Sequence, residues 1–381
     1  MEHGHLGNLR MQTSAPGRIC LFGEHQDYLG LPVIAMAVNL RFHIEFTQTS
    51  RRDILIRKPD LGPDAMSVVD LFAEKPAGPD DFCWGIARTL IEDGFDFPFG
   101  GEATFKSRIP LRAGCSSSSA MSAAWMRLLL EIGTHPDKEK LIRAPEEVAY
   151  LVYKGEKEKF HGAGGMMDQY ACYLGGLIHV FPENAASGTT IGSLYGVEKL
   201  PLNLEGIVLI DSGEPKDTQG VLSSVSQRAR NAVAQAAMDM PGFDLVTSTV
   251  DEVESNISPT MKQKEHWKIT VDHLKNRDLC REGLKIFRTG QGIEQLGAML
   301  DEEHRILAET LGISTPRINW ILDLARKSGA TGGKINGSGG GGTCFCYAPD
   351  PDARRGLLEA FSRNGIRHFE VTSDVGARRE D

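Results

Sequence analysis

The chain has 381 residues, 41% of them hydrophobic and 24% charged, with a formal net charge of −9; this is globular composition, and without any clustered run of Lys and Arg it excludes a broad nucleic-acid footprint. No apolar stretch approaches the roughly 20 residues that span a bilayer, and the opening Met-Glu-His-Gly-His-Leu-Gly has neither the basic nor the apolar region of a secretion signal, so a cytosolic protein without membrane or nucleic-acid partners is expected. The seven cysteines form no Cys-x-x-Cys pair and lie in apolar surroundings, which reads as buried free thiols.

In chain order, "GRICLFGEHQDY" (17–28) comes first. Its apolar run Ile19–Phe22 reads as a buried strand, with Arg18 at its start and Glu24, His25 and Asp27 directly after it. Residues 31–47 are rich in β-formers, and 83–93 and 119–132 carry apolar residues at helical spacing before Gly94 and Gly133. Trp84 in the first of these helices is read as core. The turn before the second, "AGCSSSSA", places Gly114, Cys115 and four serines, Ser116, Ser117, Ser118 and Ser119, at a helix start. Free backbone N–H groups and the helix dipole make such a turn an anion site, with serine hydroxyls as added donors; the alternative is that the serines only cap the helix. No G-x-x-x-x-G-K-[ST] loop occurs in the chain.

In "GEKEKFHGAGGMMDQY", Asp168 follows a Gly-rich, apolar stretch, where a carboxylate needs either a partner or a task; a helix N-cap is the plainer reading. Glu156 lies in a charged run that by itself reads as a solvated helix face. His161 and the cluster Asp301-Glu302-Glu303-His304 lack metal-ligand spacing and read as surface or packing features. Residues 180–205 lose the helical pattern, so a domain boundary is placed near 200. "GIVLIDSG" then begins a new strand, long helical stretches fill about 217–328, and strands in "GGTCFCYA" and "RHFEVT" flank a helix at 351–364. Between strands lies "KINGSGGGGT". Its Gly337, Gly339 and Gly342 satisfy G-x-G-x-x-G, but the run leads into a strand, whereas a dinucleotide fingerprint opens a helix. Tight packing or a wall of a phosphate site are equal readings of it.

"APGRICLFGEHQDYLG", "PLRAGCSSSSA", "GAGGMMDQ" and "KINGSGGGGT", in that order and at those separations, resemble the four motifs of the GHMP kinase superfamily, most closely its galactokinase branch. The resemblance implies an α+β protein of two domains, 12–200 with a ribosomal S5-like fold and 201–381 with a ferredoxin-like fold, and an active site between them. It implies an ATP- and Mg²⁺-dependent sugar 1-kinase, acting as a monomer or homodimer. Asp168 then corresponds to the catalytic base and Arg18 to its basic partner, while Glu24, His25, Asp27 and Gly165 correspond to the sugar-binding set. Gly114 to Ser119, with Gly339 and Gly340, correspond to the nucleotide-phosphate loops, and Ser118 and Glu156 to the Mg²⁺ ligands. Asp27-Tyr28 after Gly-Glu-His favours a sugar over mevalonate. Val225 stands where galactokinases carry a sugar-contacting tyrosine, which leaves the identity of the sugar open. A non-catalytic sugar- and ATP-binding regulator, or a kinase for a non-sugar alcohol such as mevalonate, are the alternatives.

Overall fold

The first apolar stretch is one long strand, β1 (Arg10–Phe22), and the β-rich segment after it is β2 (Val33–Gln48). They pair antiparallel, with register shifts between Pro16 and Gly17 and between Cys20 and Phe22. β1 is buried along almost its whole length because α-helices cover it and β-strands flank it on both edges; near-continuous apolar sequence replaces alternation in a strand so enclosed. The computed structural model describes residues 9–78, 81–110, 114–162, 164–182, 195–215 and 218–380. Residues 111–113 of the serine-rich turn, Ala163, and 183–194 of the patternless stretch lie outside the described residues.

The chain continues through β3 (Ile54–Arg57), β4 (Met66–Val69), α1 (Phe82–Glu92), β5 (Gly101–Ser107), α2 (Ser117–Ile132), α3 (Lys138–Ile142), α4 (Pro145–Glu156), α5 (Met167–Leu174), β6 (Leu177–Pro182) and β7 (Tyr195–Lys199). It then forms β8 (Ile207–Asp211), α6 (Thr218–Asp239), α7 (Val250–Asn256), α8 (Pro259–Lys262), α9 (Glu265–Thr289), α10 (Leu296–Arg305), α11 (Pro316–Lys327), β9 (Gly332–Ile335), β10 (Thr343–Tyr347), α12 (Pro351–Arg363), β11 (Arg367–Val371) and β12 (Arg378–Glu380). The first sheet has the order β12-β1-β2-β5-β3-β4, with β6 also on β2 and β7 on β6; among the described residues only β3 and β5 run parallel. The second is the antiparallel sheet β11-β8-β10-β9. The helices and strands expected over 31–47, 83–93, 119–132, 206–213 and 343–371 are present, and the fold is α+β.

α2 packs against β1 and β2. It is Ala-rich and buried on most sides, so its backbone comes close to the sheet, and the indole of Trp125 donates to the Cys83 carbonyl of α1 at 2.9 Å. Trp84 is buried as well, donating to the Ala73 carbonyl at 2.8 Å. All seven cysteines are buried and free. α9 and α10, from the second half of the chain, also pack on β1. The end of β1 is therefore the seam between the two halves. The last strand, β12, crosses back to pair with β1 through Gln12, Thr13 and Ser14. Buried Arg41 of β2 holds this return in place by bonding the Val375 and Gly376 carbonyls and the Asp374 carboxylate. Among the described residues no helix is long and apolar enough to cross a membrane.

Candidate functional site

The polar residues that follow β1 turn back over its end. Gly23 and His25 both have left-handed backbone (φ 89° and 60°), which puts Glu24, His25 and Gln26 into buried positions and leaves Asp27 partly open at the start of a short 3₁₀ turn, Asp27–Leu29. His25 is one of three non-glycine residues with positive φ among the described residues; Ser116, at φ 55°, is another. Such backbone costs roughly 1–3 kcal/mol per residue and persists only where the surroundings impose it.

Arg18 projects from β1, buried, and joins the other motifs. Its Nε donates to Asp168 Oδ1 at 2.7 Å, its Nη2 lies 2.6 Å from the same oxygen, and its Nη1 donates to the Gly114 carbonyl at 2.8 Å. Asp168 lies in the first turn of α5 and does not cap it, since the cap position is Met166. Its carboxylate retains 28% exposure. Burial pushes the Asp168 carboxyl up, but Arg18 and Lys157 outweigh burial and hold it below the ordinary aspartate range. Burial would lower the Arg18 pKa, and Asp168 and Glu24 reverse this, keeping the guanidinium charged. Asp27 behaves oppositely: burial and the nearby Asp168 charge raise it to about 6, against one backbone bond from Tyr28. Gly165 explains how the two carboxylates share this space, because a Cβ there would overlap the Asp27 carboxylate.

The serine-rich turn lies on β1 at Gly17–Arg18, where the Arg18 N–H donates to the Cys115 carbonyl at 3.2 Å and a side chain at Gly17 would strike that oxygen. Ser116 occupies the N-cap position of α2 but makes no side-chain cap hydrogen bond, so the capping alternative is not how this turn is built. Ser117 donates to the Pro110 carbonyl and Ser118 is exposed. Ser119 points inward and donates to Glu156 Oε1 at 3.0 Å, while Gln169 Nε2 donates to Glu156 Oε2 at 2.9 Å. Glu156 is thus 1% exposed, not on a solvated face. Ser118 and Glu156 are hard oxygen donors of the kind Mg²⁺ takes. In this arrangement, however, both Glu156 oxygens already accept protein hydrogen bonds, and the hydroxyl beside it is that of Ser119. Glu156 as placed does not fit a direct metal ligand. Among the described residues no cluster of three or more His, Cys, Asp or Glu could hold a metal ion.

The glycine run is the loop between β9 and β10, and it packs tightly. A Cβ at Gly337 would come within 2.6 Å of the Gly114 carbonyl, one at Gly339 would overlap Ile313, and one at Gly340 would lie 2.9 Å from Val221. Gly339 is therefore packed on protein, Gly340 is exposed beside Val221, and Gly337 touches the serine-rich turn. Asn336 Nδ2 also donates to the Gly114 carbonyl, at 3.1 Å, so that oxygen is gripped from β1 by Arg18 and from the second sheet by Asn336. Because the peptide unit is planar and trans, fixing this carbonyl fixes the Cys115 N–H in the opposite direction.

Behind the turn that follows β1 lies a buried ionic network that the sequence did not disclose. Lys334 of β9 is fully buried, donates to the Cys20 carbonyl at 2.9 Å, and lies 3.5 Å from Glu24 Oε2 and 3.4 Å from Glu303 Oε1. Glu303 Oε1 accepts the Gly23 and Glu24 N–H groups at 3.1 and 3.0 Å, and Glu24 Oε2 accepts the Gly337 N–H at 2.8 Å. Burial and the Glu24 charge raise Glu303 to about 7, although Lys334 pulls it down. His25 joins the same brace, its Nε2 3.2 Å from the Ser338 carbonyl and its Nδ1 3.2 Å from the Tyr28 hydroxyl. Glu303 and His304, expected among surface or packing features, are buried, Glu303 as a backbone clamp and His304 against Asn319 and the Ile335 N–H. His161 is exposed, as expected. Val225 is buried in the core of the second half.

Residues 81–176 match the GHMP kinases N terminal domain, residues 281–367 the GHMP kinases C terminal domain, and residues 5–47 the galactokinase galactose-binding signature. The chain belongs to the GHMP kinase superfamily. Its four motifs meet at one place, and GHMP kinases are phosphotransferases. The chain is 24% identical to a mevalonate kinase of Pyrococcus furiosus, covering 95% of this chain and 99% of the relative. It is also 24% identical to a galactokinase of Bacillus subtilis, covering 95% and 92%. Among solved structures, galactokinase from Lactococcus lactis complexed with galactose superposes with a TM-score of 0.79 at 18% identity, over 97% of this chain and 95% of that one. Mevalonate kinase from Methanococcus jannaschii gives 0.66 at 19% identity, over 97% and 99%.

In this GHMP kinase fold, Arg18, Asp168, Asp27, Gly165 and Gly114 come together, and Glu24 and His25 stand behind them in the brace. Residues that sequence reading missed are Asn336, Lys334 and Glu303, together with Lys157 beside Asp168. Lys334 and Asn336 lie inside the quoted glycine motif, so their proximity to it was a usable signal.

Proposed function

We propose that this GHMP kinase transfers the γ-phosphate of ATP to the anomeric hydroxyl of a sugar. The observation that carries this reading is the Arg18–Asp168 pair, fixed to the Gly114 carbonyl at the uncapped start of α2 and facing Asp27 across Gly165. Asp168 is partly open and held ionised, so it can accept the proton of an acceptor hydroxyl, and Arg18 stabilises the charge before and during transfer. The N–H groups at the start of α2, with the exposed Ser118 hydroxyl, provide donors for phosphate oxygens. Phosphoryl transfer depends chiefly on positioning and charge neutralisation, and the tight backing of Gly114 by Asn336 and Gly337 supports such positioning. Mg²⁺, when bound with the nucleotide, would offset phosphate charge; with Glu156 closed off by Ser119 and Gln169, no step here is assigned to a protein-held metal.

Asp27 supports a polyol acceptor, since carboxylates accept paired hydroxyl hydrogens. The match to the galactose-binding signature and the higher TM-score to the galactose-bound structure support the same choice. Mevalonate is the second reading, favoured by the full-length similarity to mevalonate kinases. Asp168→Asn tests the assignment: coupled ADP release with the accepted alcohol should fall by about 10²–10⁴-fold, the range of a general base, while calorimetry still detects acceptor binding. Retained turnover would overturn it.

A further inference from the structure

Arg230 lies on α6 and is exposed, with its guanidinium carbon 5.8 Å from the centroid of the Tyr28 ring. Among the described residues it makes no ion pair and no hydrogen bond. Two residues earlier on the same helix, Arg228 spends its guanidinium on the Thr310 and Leu311 carbonyls. Among the described residues the Arg230 guanidinium thus meets only the Tyr28 ring face, with no carboxylate or carbonyl on its N–H groups, and it stands beside the Asp27 turn. The Tyr28 N–H donates to Asp27 Oδ1 at 2.9 Å, and the Tyr195 hydroxyl donates to the Asp27 carbonyl at 3.4 Å. Arg230 acts electrostatically on both tyrosines, and Tyr153 is close enough to feel Asp27 and Tyr195.

Asp27, Tyr28, Tyr153 and Tyr195 are all partly open, and the Arg230 guanidinium stands beside them with its N–H groups available for a ligand. The hydroxyls of a neutral polyol can accept hydrogen bonds from that guanidinium, but a carboxylate gains more from it. A guanidinium is a planar fork that matches a carboxylate in a bidentate manner, and such charge-assisted bonds are stronger than neutral ones. Orientation follows from the same charges. Asp27 and Asp168 repel an anion, so an acidic acceptor would turn its carboxylate away from them and toward Arg230, presenting its hydroxyl end to Asp168.

We propose that the acceptor is a sugar acid, a polyol bearing a carboxylate such as a hexuronic acid, and that Arg230 is the residue that selects it. This rests on the reading of the site as an acceptor pocket, but its test does not depend on turnover. Calorimetric titration of the full chain with galacturonate, glucuronate, galactose and mevalonate should give at least one uronate as the tightest ligand. Arg230→Gln should weaken that uronate about tenfold or more, the scale of a lost charge-assisted pair, and leave galactose within about twofold, while Arg230→Lys restores part of the loss. Because Arg230 is exposed, the variants should melt with wild type. Galactose binding as tightly as both uronates, an equal effect of Arg230→Gln on acid and neutral sugars, or preference for mevalonate over both uronates would overturn the proposal. Uronate binding that depends on Arg230 without phosphate transfer would instead refute the kinase mechanism and leave this inference standing.

Discussion

Replacing Glu303 with glutamine should make the protein gain stability relative to wild type as pH rises. Glu303 is 0% exposed and shares Lys334 with Glu24, and its pKa stands at about 7 against an ordinary 4.5 because burial and the second carboxylate disfavour its charge. With the folded value raised, the native chain holds a proton that the unfolded chain has released. The stability is therefore complete below about pH 4.5 and is lost as pH climbs through about 7. Each pH unit in that window is worth about 1.4 kcal/mol, so wild type gives up roughly 3 kcal/mol through this residue. Glutamine retains the Oε1 acceptor for the Gly23 and Glu24 N–H groups but has nothing to titrate. Urea unfolding of both proteins at about pH 5, 6 and 7 measures the difference. His304, lowered to about 4 mainly by burial, titrates in both proteins and cancels. The variant should lie close to wild type at about pH 5, where the protonated Glu303 is as uncharged as glutamine, and gain roughly 2 kcal/mol against it by about pH 7. A difference that stays constant over this range would refute the placement of a proton on Glu303.

Gly165→Ala should displace the Asp27 carboxylate, which the new methyl would overlap; acceptor KM should rise by about tenfold or more, the cost of misplacing one binding group, with ATP KM near wild type, and equal effects on both substrates would count against Asp27 as an acceptor contact. Because Asp27 sits at about 6, kcat/KM for the acceptor should decline below about pH 6 as its carboxylate takes up a proton, and Asp27→Asn should remove that limb of the profile; a limb unchanged in the variant would assign the titration to another group.

Much of the fold was legible because its signals are local. Ile19–Phe22 is too apolar for anything but a buried strand, and the Ala and Leu spacing after Ser119 marks α2. The four motifs could be recognised because each is a short contiguous run. Other parts had a signal that was misread. Glu156 follows Val148 and Val152 at four-residue steps, so the helical phase places it on the buried face of α4, although its charged neighbours suggest solvent. Four identical residues hide the phase of the helix start: nothing in Ser116–Ser119 distinguishes which hydroxyl turns inward, and the structure turns Ser119. The brace was out of reach for a different reason. Glu303 meets Gly23 and Glu24 across 280 and 279 residues, and no pattern within a helix or strand encodes a contact of that span.

β12 has a bearing on how the chain is made. The strand that carries Arg18 to Asp168 is synthesised well before the neighbour on one of its edges, Arg378–Glu380. Until those residues emerge, β1 presents unpaired backbone N–H and C=O groups along Gln12–Ser14, the kind of open edge that recruits other strands. The first sheet cannot close this edge until β12 has been made, and the closure is a contact of long sequence separation, which is slow to form. Resistance to aggregation should therefore arrive only once β12 has been made, and a chain lacking Arg378–Glu380 should be lost to association.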